Sequence, residues 1–310
     1  MASTRRTLPE HRVESRADAQ GAGGGRAAAQ SVRSAMSFAS NPVLRRLLLP
    51  LFARLNPGDI TIKHHHTGAP VRLHSFRHKG YWWHGARREA ETMEAFRRVL
   101  RPGDTVVEVG AHIGYIAMFF SHLVGPRGRV ITFEPGENNL PYVRANVAPL
   151  GNVRLVEKAV GDRAATMKLN IENLTGQNNS LLDHFEGLTA NQRAAAVATE
   201  VRAVDVEVIT LDSYCAAENV RPALVKIDVE GFEHEVLLGA KEVLATHRPI
   251  VMVEVQRHAE AIFDLLRGLG YDLYRPDGTR VHRAADLEMN TFCLDPSRHA
   301  EALRSLRWAS

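Results

Sequence analysis

The chain has 310 residues, 45% hydrophobic and 24% charged, with a formal charge of +4. That is ordinary globular composition, long enough for one large α/β domain with extensions, and no run of about 18 apolar residues suggests a membrane-spanning helix. The basic excess gathers near the start, where Arg5, Arg6, Arg12, Arg16, Arg26 and Arg33 outnumber Glu10, Glu14 and Asp18, so it is no sign of a nucleic-acid groove in the folded part.

Residues 1–35 are rich in Ala, Gly, Arg and Ser and read as a disordered N-terminal arm. Met36 offers an alternative start. Residues 36–100 read as an extension of helices and strands. Within it, Asn41 to Leu55 has Leu44, Leu47, Leu48 and Leu51 at helical spacing with arginines between them. Such a helix could lie on a membrane surface; packing on the domain or a partner is the plainer reading. Ile60 to Trp83 alternates enough for two short strands and carries His64, His65, His66, His74 and His78. No pair of these has metal-ligand spacing on a helix, so they read as polar surface residues and no metal ligands are assigned. Glu89 to Leu100 reads as a helix, with Met93, Phe96 and Leu100 on one face.

From residue 101 to the C-terminus the pattern alternates β-α-β. The strands are Thr105–Val109, Val130–Phe133, Val153–Val160, Leu224–Ile227 and Ile250–Val255. The helices are Tyr115–Val124, Glu137–Ala148, Glu233–Thr246 and Ala259–Leu269. Apolar strands of this kind are buried on both faces of a parallel sheet. Tyr271–Tyr274 and Asn290–Leu294 could add an antiparallel hairpin through Pro276-Asp277-Gly278. The expected fold is α/β: a doubly wound, mostly parallel, seven-stranded Rossmann-like sheet with helices on both faces. Ile171 to Ala203 breaks the rhythm and reads as a substrate loop. Cys215 and Cys293 lie in no C-x-x-C pair, which fits a reducing cytoplasm.

The first strand runs into Gly110-Ala111-His112-Ile113-Gly114, and the second ends on Glu134. Gly110 lets backbone approach a ligand where a Cβ would clash. Glu134 at a strand tip can accept hydrogen bonds from two ribose hydroxyls. The glycines read G-x-x-x-G, without the second early glycine that makes room for a pyrophosphate. That favours S-adenosylmethionine, a nucleoside without phosphates, over a dinucleotide.

Taken in order, Val107-Glu108-Val109-Gly110-Ala111-His112-Ile113-Gly114, Phe133-Glu134-Pro135, Ala159-Val160-Gly161-Asp162, Thr210-Leu211-Asp212, Val225-Lys226-Ile227-Asp228-Val229-Glu230-Gly231-Phe232-Glu233 and Val253-Glu254 resemble the FkbM family of class I S-adenosylmethionine-dependent methyltransferases. The resemblance runs from about Glu89 to Glu254. It implies that Glu108, Gly110, Ala111, Gly114, Glu134, Asn138 and Asp162 hold the cofactor, with Glu108 near the methionine ammonium, Asn138 beside the ribose and Asp162 near the adenine amine. The family usually has Asp where this chain has Glu108, and often Asn where it has His112. Thr175 to Ser180 resembles a polar segment that the family carries before a Thr-Leu-Asp strand, where it could line the acceptor pocket.

Methyl transfer to a hydroxyl needs a proton acceptor. Asp228, at a strand's carboxyl edge, is the first candidate, as general base or metal ligand. Glu254 ends the next strand and could face it. His234 follows within a turn, behind the reacting groups or at the surface more readily than as the base. Paired carboxylates could bind a divalent cation, which is left open rather than expected. Lys226 could form a buried ion pair with a neighbouring acid. The implied reaction is O-methylation of a hydroxyl on a sugar, glycan or polyketide-type small molecule. The rivals are a catalytically impaired binding module, an NAD(P)-dependent oxidoreductase, and a nucleic-acid methyltransferase, whose Asn/Asp-Pro-Pro-Tyr/Phe stretch is missing here. Oligomeric state is not legible.

Overall fold

A computed structural model describes residues 56–172, 176–182 and 201–306. The expected arm, the helix over 41–55 and most of the 171–203 loop lie outside the described residues.

Strands β1 (Asp59–Lys63) and β2 (Pro70–His74) pair antiparallel from Asp59↔His74 to Lys63↔Pro70. A short helix α1 (Lys79–His84) and helix α2 (Ala90–Val99) follow. Val71 and Leu73 on β2, with Met93, Phe96 and Val99 on α2, are buried in the same core as the main sheet.

The main sheet uses β3 (Thr105–Val109), β4 (Arg129–Phe133), β5 (Val153–Val156), β9 (Leu224–Ile227), β10 (Ile250–Glu254), β11 (Asp272–Tyr274), β12 (Arg280–Val281) and β13 (Asn290–Leu294). Its order is β12-β11-β13-β10-β9-β3-β4-β5. The five strands from β10 to β5 are parallel, and β13, β11 and β12 add on antiparallel. The sheet has eight strands rather than seven because the Pro276-Asp277-Gly278 turn leads into the two-residue β12, not directly into β13. From β3 the chain first builds towards β5 and later resumes on the other side with β9. The order therefore reverses between β3 and β9, and the crevice outside the strand ends there is where open α/β sheets bind ligands.

Alternate strand residues serve the two faces. Val106, Val130 and Leu224 point into one core, with α2, α3 (Tyr115–Val124), α4 (Leu140–Val147) and α9 (Ala300–Leu306). Val107, Ile131 and Val225 point into the other, with α5 (Leu211–Ala217), α6 (Glu233–Leu238), α7 (Lys241–Thr246) and α8 (Ala259–Gly268). Burial on both faces explains why these strands read as continuous apolar runs.

Four expectations about the elements are corrected. Val153–Val160 is not one strand. Glu157 and Lys158 are charged and pair with Arg144 and Glu207, and the chain leaves the main sheet there. It continues as β6 (Ala159–Val160), which joins β7 (Ala165–Glu172) and β8 (Val201–Ile209) in a small sheet of order β6-β8-β7. The irregular stretch is therefore shorter than expected, with residues 171–172 and 201–203 paired in strands. Thr210-Leu211-Asp212 is no strand. Thr210 Oγ1 accepts the Ser213 N–H at 3.1 Å and caps α5. Asp212 accepts the N–H groups of Glu242 and Val243 at the start of α7. Glu233 to Thr246 is not one helix, because the chain breaks at Gly239 between α6 and α7. A Cβ at Gly239 would stand 1.9 Å from the Gly161 carbonyl oxygen.

Candidate active site

The turn after β3 is sewn to the end of β4: the N–H groups of Gly110 and Ala111 both donate to the Phe133 carbonyl, at 3.1 and 3.0 Å. Gly110 has φ +93°, and a Cβ there would fall 1.8 Å from the Asp228 carbonyl oxygen. The close approach at Gly110 is thus between two strand ends of the chain itself, not only towards a ligand. Gly114, at φ +80°, starts α3; its Cβ would meet Val143 and Val147 of α4 at 3.1 Å, so what it permits here is the packing of α3 on α4. His112 also has a left-handed backbone, φ +52°. Its ring nitrogen Nδ1 lies 2.9 Å from the Tyr81 hydroxyl.

Glu134 is 4% exposed. Its carboxylate accepts from the backbone of His112 (2.7 Å) and Gly136 (2.9 Å) and from the Asn139 amide (3.2 Å). A carboxylate has about four lone-pair positions, so one on Oε2 is left for an incoming hydroxyl rather than the two expected for a ribose diol. Burial pushes its pKa up to about 7, against the three donors. Glu108 is fully buried. One oxygen accepts from Thr132 at 2.6 Å, and the other, Oε1, has no hydrogen-bond partner. Burial raises the Glu108 carboxyl, while Lys226 opposes the shift.

A single cavity takes in Glu108, Gly110, Ala111 and Glu134 on one side and Asp228 and Glu230 on the other. Tyr81 and Arg88 close it from the segment before β3, and Gly176, Gln177 and Leu181 from the segment after β7. Of the polar segment Thr175 to Ser180, Gly176, Gln177 and Asn179 line this cavity, and Thr175 lies outside the described residues. Of the other sequence-based site residues, five are not among the lining: Gly114, Glu254, Asn138, Asp162 and His234. Asn138 is turned to a reciprocal amide pair with Asn179 (2.8 and 3.4 Å), and its neighbour Asn139 lines the cavity instead. Asp162 pairs with Arg163 at 2.8 Å. The half-buried His234 lies with its ring centre 5.7 Å from that of His258.

At the far wall, Asp228 is 3.1 Å from the Lys226 ammonium. Burial works against its ionisation, but Lys226 and a hydrogen bond from Glu254 hold its carboxyl below the usual carboxylate range. Glu254 behaves oppositely: burial, then the neighbouring Asp228 charge, push it up to about 10, so it carries a proton at neutral pH. Glu230 is pushed up to about 8 by burial and by Asp228. Oxygens of the three acids lie within 4.8 Å of one another. The Gln256 amide donates to Glu230 at 3.1 Å and to Glu254 at 2.7 Å. Lys226, Gln256 and a retained proton offset the charge of this cluster, whose spacing is also one that could hold a metal ion. Sequence reasoning missed Tyr81, Arg88, Asn139 and Gln256. No local pattern marks the first two; Asn139 and Gln256 each stand beside or near a residue that was singled out.

The family profile described as the methyltransferase FkbM domain matches residues 108–273, just over half of the chain. The chain belongs to this FkbM methyltransferase family. Among curated relatives, the 2-O-methyltransferase NoeI of Sinorhizobium fredii is 26% identical over 197 residues, covering 59% of this chain and 80% of that one. The 31-O-demethyl-FK506 methyltransferase FkbM of Streptomyces tacrolimicus is 28% identical over 257 residues, covering 74% and 94%. A solved structure of the methyltransferase FkbM from Methylobacillus flagellatus is 16% identical with a TM-score of 0.41; this chain covers 44% of it, and 63% of this chain is matched. The family match spans the glycine turn, Glu134, Asp228 and Glu254, whereas Tyr81 and Arg88 lie before it. No helix among the described residues is long and apolar enough to cross a membrane.

Proposed function

We propose that the protein is an S-adenosylmethionine-dependent O-methyltransferase acting on a hydroxyl of a sugar, glycan or polyketide-type small molecule. The observation that carries this is the single cavity with a buried carboxylate, Glu134, beside the glycine turn and a second acid, Asp228, across from it. The two curated relatives, both named as O-methyltransferases, support the class of reaction. The remaining Oε2 lone pair of Glu134 suits one ribose hydroxyl, and Glu108 Oε1, which accepts no hydrogen bond and has the Lys226 ammonium 3.9 Å away, suits the methionine ammonium. When bound, the cofactor would supply an electrophilic methyl group.

Asp228 accepts a hydrogen bond from the acceptor hydroxyl and then its proton. Its low basicity is sufficient, because a hydroxyl becomes strongly acidic once its oxygen begins to bond to the methyl group. Glu254, protonated, donates to Asp228 and keeps it ionised. The cavity walls hold the hydroxyl in line for attack, where misplacement is costly. Two buried free thiols, Cys215 and Cys293, fit a cytoplasmic enzyme.

Calorimetry of S-adenosylmethionine binding tests the reading, with Glu134→Ala as control. The wild type should bind and the variant should lose most of the affinity. At about 100 times the dissociation constant the ligand should stabilise the wild type by roughly 2.7 kcal/mol. An absence of binding by the wild type would remove the cofactor and the reaction together. Transfer of labelled methyl groups to sugars and macrolides then identifies the acceptor.

A further inference from the structure

Lys226 is 1% exposed, in the middle of the sheet between β3 and β10. Its register partner on β3 is Glu108. Its ammonium reaches three groups: the Gly110 carbonyl at 3.3 Å, Asp228 Oδ2 at 3.1 Å and Glu108 Oε1 at 3.9 Å. Gly110, in the turn after β3, and Glu108, near the end of β3, belong to the part assigned to the cofactor. Asp228 is the acid assigned to the acceptor. The backbone joins the same two strand ends, with the Asp228 N–H donating to the Val109 carbonyl at 3.0 Å. An ammonium has three donors and no acceptor, so these contacts use its bonding capacity almost fully.

We propose that Lys226 is the positioning residue of this site: its ammonium clamps the glycine turn to Asp228, fixing the distance between methyl donor and proton acceptor and holding Asp228 as the anion. The proposal rests on the methyltransferase reading and adds to it a cavity-lining residue that acts through the turn and Asp228. Two effects follow from one charge. The turn carbonyl cannot swing away, because it would leave a buried ammonium short of an acceptor. Asp228 cannot pick up a proton from Glu254, because the ammonium beside it favours the charge on Asp228.

The groups facing Asp228 decide its charge, and they come from every neighbouring element. Lys226 of its own strand and Arg88 from the segment before α2 favour the anion. Glu108 of β3, Glu230 of the following turn and Glu233 of α6 oppose it. Glu254 of β10 helps by donating a hydrogen bond. Arg88 is already ion-paired with Glu89 at 3.1 Å, so Lys226 is the cation in direct contact with Asp228. Its own charge is disfavoured by burial, but Asp228 and Glu108 reverse this and hold the ammonium above its ordinary value.

The test is an NMR titration of the full-length protein with ¹³C-labelled aspartate carboxyls, Asp228 being assigned by the signal that Asp228→Asn removes. In Lys226→Met the Asp228 midpoint should climb by about one to three pH units, the usual consequence of losing an adjacent cation. S-adenosylmethionine affinity, read by calorimetry, should fall several-fold in the same variant. A lysine that only packs would lower thermal stability and leave the Asp228 midpoint where it is; that result overturns the proposal. Should Lys226→Met not fold, the wild type answers through its ¹⁵N-labelled lysine ammonium signals. One of them should stay protonated beyond the ordinary lysine range and shift in Asp228→Asn, and the lack of any such signal overturns the proposal equally. Wild-type protein that fails to bind S-adenosylmethionine would sink the methyltransferase reading, while the carboxyl titration would still judge the clamp.

Discussion

Two glycines of one motif should respond differently to the same substitution. Gly110 and Gly114 both have positive φ, so alanine is strained at each. The neighbours differ. At Gly110 the new methyl meets a backbone carbonyl at 1.8 Å, and that carbonyl belongs to Asp228, the residue after β9, a strand fixed on both edges. At Gly114 it meets the ends of two valine side chains at 3.1 Å, which can move by a few tenths of an ångström. Gly110→Ala should therefore cost about 3 kcal/mol or more, combining backbone strain with overpacking, and Gly114→Ala roughly 1–2 kcal/mol. Urea unfolding of both variants checks this; equal losses would mean that the contact with Asp228 relaxes freely. The same contact ties the cofactor turn to the proton acceptor at the level of the backbone, as Lys226 does at the level of side chains.

At the scale of elements, the bounds of β3, α3 and β9 were legible to the residue, because each is a run of apolar side chains closed by a glycine turn or an acid. What the sequence hid was decided by contacts between distant segments. Glu233 to Thr246 carries one helical pattern, yet the Gly161 carbonyl occupies the space of a Gly239 Cβ and the chain restarts on Asp212. Gly239 has φ −82°, a value alanine adopts readily. In open surroundings Gly239→Ala would be neutral or stabilising. Here it should cost about 1–3 kcal/mol by forcing α6 away from Gly161. A melting temperature that holds or rises in this variant would show that packing does not impose the break. The site divides along the same line. Glu108, Gly110, Glu134, Asp228 and Glu254 could be picked out because strand ends and a glycine turn mark them locally. Tyr81 and Arg88 could not, since they reach the cavity from a segment that no motif connects to it.

For the whole molecule, the buried acids and histidines set opposite limits on stability. Burial lowers His64 to about 4 and His78 to about 2. These rings stay neutral when folded and protonate when unfolded, so stability is lost as the pH falls below about 6.5. Burial raises Glu134 and Glu233 to about 7, Glu230 to about 8 and Glu254 to about 10. A raised carboxyl keeps its proton in the folded state while the unfolded chain has lost it above about 4.5. The unfolded state then binds fewer protons, and stability falls as pH rises, up to the folded value of each acid. Above pH 7 the histidines no longer contribute, and Glu230 and Glu254 remain to set the slope. Each proton retained costs about 1.4 kcal/mol per pH unit. Urea midpoints should therefore decline steadily from neutral pH to about pH 8, where Glu230 drops out, and more gently towards about pH 10. Glu254→Gln keeps a donor for Asp228 and removes one titrating group, so it should flatten the slope by about one proton. A wild-type profile that is already level above neutral pH would mean that Glu254 and Glu230 are ionised in the fold. Asp228 would then stand among like charges that Lys226 alone could not balance, and the proton held between Asp228 and Glu254 would have to be abandoned.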